Sequence, residues 1–133
     1  MMRMRIAGVL IAALAMLGST AAAAGTPVIV SGPGSYLVNY TQPVIVASVG
    51  DIVTYVNLDV QRHDVVADGV YRPTDSAEWC VLFGADECPL FWTPLIGLGQ
   101  QTEVRGLEDV ESGTTYDFLC TIHQNMWGLL VVV

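Results

Sequence analysis

The chain has 133 residues, with thirteen acidic groups against five arginines and no lysine, for a formal net charge of −8. An acidic balance of this size repels nucleic acid and anionic lipid head groups, so both are set aside as partners, and basic protein surfaces are favoured.

In chain order, the first element is a targeting segment. Arg3 and Arg5 give a positive start, residues 6–17 form an apolar run of 12, and "GSTAAAAG" supplies small residues at the cleavage positions. This pattern predicts a secretory signal peptide over residues 1–24, cleaved after Ala24 and too short to remain as a membrane-spanning helix. The protein is therefore expected in an exported compartment (periplasm, cell surface or medium), with no stable membrane insertion. Residues 25–133 form the mature domain. It is 109 residues long, a one-domain length, and its net charge is −10 because two arginines leave with the peptide.

From Thr26 onward the pattern is all-β. "VIV", "YLVNY", "PVIVASV" and "DIVTYVNL" are short β-branched and aromatic runs punctuated by "SGPGS", "TQ" and "GD". "HDVVAD" and "QQTEVRGL" add two more strands, "TTYDFLC" alternates polar and apolar residues, and "GLLVVV" closes the chain as a buried strand. About eight short strands with turn signals between them predict an antiparallel β-sandwich. No sustained helical period is present outside the signal peptide.

Residues 67–99 interrupt this rhythm. They form a long connection with Pro73, Pro89 and Pro94 and the aromatics Trp79, Phe83, Phe91 and Trp92. A connection of that length in a compact domain is either functional or a lid over one end of the sandwich. Cys80 and Cys88 bracket "VLFGADE", whose Gly84 and Asp86 suggest a turn, and a Cys80–Cys88 disulfide is expected. The oxidising environment of an exported protein favours that pairing. It leaves Cys120 as the odd thiol.

The remaining soft and nitrogen donors are few. The mature chain has two histidines, His63 and His123, and one methionine, Met126. Cys120, His123 and Met126 stand three residues apart in "CTIHQNM". Each alone has an ordinary explanation: a surface histidine, a core methionine, an inert buried thiol. Their concentration in one turn, which also holds the odd thiol, points to a metal. One thiolate, two imidazoles and a weak thioether form the donor set of a mononuclear copper site, trigonal His2Cys with a long axial Met. Zinc also accepts Cys and His, but it commonly takes a fourth ligand of Cys, His, carboxylate or water. His63 must supply the fourth donor from a distant strand.

At this point the sequence resembles the cupredoxin family, the small blue copper proteins that include plastocyanin, azurin and amicyanin. "VIVASVGDIVTYVNLDVQRHDVV" is similar to the family's stretch around its first ligand, and "SGTTYDFLCTIHQNMWGLLVVV" to its closing hairpin; the short ligand loop is of the amicyanin kind. The resemblance implies a Greek-key β-sandwich holding one copper ion on His63, Cys120, His123 and Met126. It also implies one-electron transfer between redox protein partners rather than enzymatic turnover, carried out as a monomer. The exposed edge of His123 would be the electron's exit, with Trp127 and the aromatics of the long connection as the docking patch. Three departures stand out. Asp64 occupies the position of the family's Asn, which bonds across to the ligand loop, here next to Thr121. Arg62 replaces a frequent Pro and is expected to offset Asp64. The disulfide-bearing insertion lies between His63 and Cys120.

Rival functions are a copper chaperone or store, a small redox enzyme, and a purely structural sandwich. An enzyme would require an open coordination position or a second copper, and no histidine remains to build one. A binuclear copper centre would require a second cysteine in the ligand loop, where position 124 is Gln.

Overall fold

The structure, a computed structural model, describes residues 25–72 and 88–133. Nine strands are present among them: β1 (Val28–Ser31), β2 (Val44–Ala47), β3 (Thr54–Asn57), β4 (Val66–Ala67), β5 (Tyr71–Arg72), β6 (Cys88–Pro89), β7 (Gln101–Glu103), β8 (Thr115–Cys120) and β9 (His123–Val132). One sheet has the order β1-β3-β7, a second the order β2-β9-β8-β4, and β5 pairs with β6 in a small ribbon. Tyr55, Phe118, Ile29 and Leu130 contribute to a common hydrophobic core. β1, β2, β3 and β8 alternate toward it; β8 reads exposed, buried, exposed, buried from Thr115 to Phe118, as a half-buried strand should.

The sandwich is mixed rather than wholly antiparallel. β1 runs parallel to β3, and β2 runs parallel to β9. The cause is topological. β1 and β2 belong to opposite sheets, so the chain crosses the sandwich before β3 returns beside β1, and such a crossover can set strands parallel.

"YLVNY" is not a strand. Residues Ser35–Val38 form one helical turn, α1. "GPG" ahead of it explains why: Gly34 adopts a left-handed φ of 79°, and the Ser35 hydroxyl and amide both return to the Gly32 carbonyl at 2.7 and 3.1 Å. A single turn is too short to leave a period in the sequence.

The long connection is also less separate than its sequence suggests. Thr93 donates its amide to the Val65 carbonyl, Ala67 to that of Phe91, and Arg105 and Trp92 exchange backbone bonds. Phe91 and Ile96 lie in the core, and Trp92 is buried with the Arg105 guanidinium 5.0 Å from its ring centroid. Arg72 holds the Leu90 and Gly106 carbonyls and pairs with Asp109 at 2.8 Å. Residues 88–99 are thus sandwich wall, not a lid. The Cys80–Cys88 pairing, and with it Trp79 and Phe83, lies outside the described residues.

Candidate metal centre

The site is built at one end of the β8–β9 hairpin. Register pairs Thr115 with Val131 and runs regularly to Leu119 opposite Trp127, which would next bring Met126 opposite Cys120. His123 takes that place instead, across a shift between Leu119 and Cys120. Residues 124–126 are the surplus, a bulge that re-aims side chains at a strand end. The turn itself is only Thr121 and Ile122, because β9 reaches back to His123 rather than starting near Gly128. Gly128 permits the close packing beneath: a Cβ there would sit 2.3 Å from the Phe118 ring and 2.7 Å from the Pro43 carbonyl oxygen.

Three predicted ligands meet at this end. Cys120 Sγ lies 3.7 Å from His63 Nδ1 and 3.6 Å from His123 Nδ1. The three donor atoms fall within 4.8 Å of one another, and the two imidazole centroids are 4.5 Å apart. Metal–ligand bonds of about 2.0–2.3 Å at a trigonal angle would separate sulfur from nitrogen by about 3.7 Å, so the donors present fit one small ion. Met126 is fully buried on β9.

The ligands differ in exposure. His63 is 0% exposed and Cys120 1%, whereas His123 is only half-buried. His63 is fixed by its backbone: its amide donates to the Ile96 carbonyl at 3.2 Å and its carbonyl accepts the Ile96 amide at 3.0 Å. Burial pushes the Cys120 thiol above its usual pKa; the amides of Asp64 and Ile122 pull it down, and the Asp64 carboxylate pushes it up again. His123 is held below the ordinary histidine value, by burial and then by His63, against the pull of Asp59 and Asp64.

Asp64 reaches across to the ligand turn. Its Oδ1 accepts the Thr121 amide at 2.7 Å, and its Oδ2 accepts the Thr121 hydroxyl. Its own carbonyl receives the buried Tyr40 hydroxyl at 2.6 Å. Arg62 does not offset it: the guanidinium extends to the Leu95 carbonyl at 3.5 Å, and among the described residues no ion pair joins Arg62 to Asp64. Trp127 is exposed (55%) on the outward side of β9, its amide bound to Asn39 Oδ1. Phe91 and Trp92 are buried, so they form no docking patch.

Two neighbours were not anticipated. The Tyr36 ring lies 6.2 Å from that of His123. Asp59, 1% exposed, places Oδ2 2.7 Å from His63 Nε2. Burial raises its pKa, but His63 and the amides of Gly34, Tyr36 and Val60 lower it further, so the carboxyl rests below its ordinary value. Its sequence signal is an acid four residues ahead of a histidine in a segment with no helical pattern.

The sequence profile of copper binding proteins of the plastocyanin/azurin family matches residues 28–133. The chain belongs to that family. Cupredoxins bind one copper, and the donor set described above suits it. Among solved structures, a novel purple cupredoxin from Nitrosopumilus maritimus is similar in fold at 23% identity and TM-score 0.58, covering 80% of this chain and 98% of the other. A reduced tryptophan-to-tyrosine variant of amicyanin matches at 27% identity and TM-score 0.54, covering 80% of each chain. A reduced Cu(I) form at pH 4 of a proline-to-glycine variant of amicyanin matches at 26% identity and TM-score 0.56, covering 85% and 87%. No curated protein matches the chain.

Proposed function

We propose that residues 25–133, exported after removal of residues 1–24, form a monomeric cupredoxin that carries single electrons between redox proteins. Copper held at this site would alternate between Cu(I) and Cu(II). The convergence of His63 Nδ1, Cys120 Sγ and His123 Nδ1 at the end of the sandwich carries this reading. His63 and Cys120 would hold the ion from the buried side, and Met126 would supply the fourth donor. Asp64 and Thr121 tie the first ligand to the ligand turn. His123, half-buried, gives the electron its way out, and the exposed Trp127 and Ile122 are the residues offered for docking. The acidic mature chain favours partners with basic docking surfaces. A Cys80–Cys88 disulfide closes the long connection.

A pre-shaped site suits electron transfer because little must move when charge changes. Bonds from Thr121 to Asp64, and from His63 to Ile96 and Asp59, restrain the site.

The copper-loaded mature protein is expected to be intensely blue, from thiolate-to-Cu(II) charge transfer. Cys120→Ser should abolish the colour with the β-sheet circular dichroism retained; a blue mutant would refute the ligand assignment. Electron self-exchange and copper off-rate, measured on one sample, separate carrier from chaperone. Slow electron exchange with fast metal loss would establish the chaperone instead.

A further inference from the structure

Asp59 makes a set of contacts that the copper ligands alone do not explain. Its Oδ2 faces His63 Nε2 at 2.7 Å and the Tyr36 amide at 3.4 Å. Its Oδ1 accepts the Gly34 amide at 3.1 Å and the Val60 amide at 2.8 Å. The carboxylate is held in turn: its own amide donates to Asn57 Oδ1 at 2.9 Å, while Asn57 Nδ2 donates to the Gln61 and Ile96 carbonyls. Ile96 closes the circle by exchanging backbone bonds with His63.

Three backbone N–H groups already point at this carboxylate, so an ionised acceptor is the form the site favours. The imidazole nitrogen facing it must then carry the proton. His63 is left with a bare Nδ1, whose lone pair is directed toward Cys120 Sγ at 3.7 Å. An anion bound to the far nitrogen also makes the ring a stronger electron donor. The same carboxylate grips the start of α1, the turn whose Tyr36 ring faces His123 and which is followed by Asn39, the acceptor of the Trp127 amide.

We propose that Asp59 is the positioning residue of this site, selecting the Nε2–H tautomer of His63 before metal binds and anchoring α1 against the ligand hairpin. The proposal rests on the copper reading only for its redox consequence, since the tautomer is a property of the metal-free chain. With copper bound, the carboxylate stabilises the more highly charged oxidation state and so lowers the potential.

Nitrogen-15 NMR of the metal-free mature protein reads the tautomer directly. The wild type should show His63 protonated at Nε2 alone. Asp59→Leu, which removes the acceptor, should give a mixture of tautomers, a copper affinity about 10–100-fold weaker and a raised potential. Asp59→Asn keeps an acceptor oxygen without the charge. Because two amides already share Oδ1, the Asn oxygen should stay with them and turn its amino group toward His63 Nε2. The tautomer should then shift toward Nδ1–H as the potential rises, which a merely structural role would not produce. Should Asp59→Leu fail to fold, the Asp59→Asn potential decides: no rise overturns the redox part. A wild-type His63 protonated at Nδ1, or Asp59→Leu with wild-type tautomer and affinity, overturns the positioning role. A protein with the expected tautomer that forms no blue copper complex would sink the copper reading and leave the positioning role standing.

Discussion

His63 and His123 approach the same sulfur at nearly the same distance, 3.7 and 3.6 Å, from opposite kinds of surroundings. His63 is enclosed, tied to Ile96 through its backbone and to Asp59 through its ring. His123 begins a strand beside a two-residue turn, is half-buried, and has the Tyr36 ring as a second aromatic neighbour besides His63. One arm therefore fixes the shape of the site and the other connects it to the outside. A carrier needs both, because a site that is rigid throughout and sealed could not pass an electron to a partner.

Removing each ring in turn should break the symmetry of the donor set most visibly. His63→Gly and His123→Gly are both expected to lose the blue band. Added imidazole should restore it in His123→Gly, where the vacated space opens to solvent. It should fail in His63→Gly, where the space is enclosed by the core and Asp59. Titration by visible absorption checks this, and equal recovery in both would mean that the two arms are equally accessible.

Gly128 sharpens the comparison from the hairpin side. Gly128→Ala would drive a methyl into the Phe118 ring and the Pro43 carbonyl. Overpacking of this kind should cost about 3 kcal/mol, seen as a fall of roughly 15 °C in Tm of the metal-free protein. The ligand end of the hairpin rests on Phe118 and Gly128, so metal affinity should fall with stability. An unchanged Tm would show that the hairpin relaxes freely and that its packing does not position His123.

Much of this was legible in the sequence because strand alternation and ligand chemistry are both local signals. The alternation of "TTYDFLC" gives the inward side of β8, and with it the side on which Cys120 lies. The pairing of Cys120 with two imidazoles follows from donor type, since few histidines exist to choose among. What was not legible depends on contacts between distant segments. The parallel pairing of β2 with β9 is decided by which sheet a strand joins, and no strand carries that in its own residues. Asp59 reads as one acid among thirteen until folding brings α1 over it. The wall formed by Phe91, Trp92 and Ile96 was hidden by its prolines and by its place after a long connection, although its bonds to Val65, Ala67 and Arg105 build it into the sandwich.

Asp64 is where the two arms touch, and it offers the finest test of how charge is used between them. Its carboxylate joins the residue after His63 to the turn before His123 through both oxygens. In Asp64→Asn the side-chain oxygen can still accept the Thr121 amide, and the new amide can donate to the Thr121 hydroxyl once that hydroxyl rotates. The cross-link should survive, so colour and Tm should change little. What disappears is one negative charge close to the metal. At the effective dielectric of a protein site this is worth on the order of 1 kcal/mol in favour of Cu(II), or ~40 mV for one electron. Voltammetry of the mutant should therefore show a potential raised by about that amount. A lowered potential would mean that the loop had shifted, so that Asp64 acts through geometry rather than charge. An unchanged one, with Asp59→Asn raised, would place the whole electrostatic bias of the site behind His63.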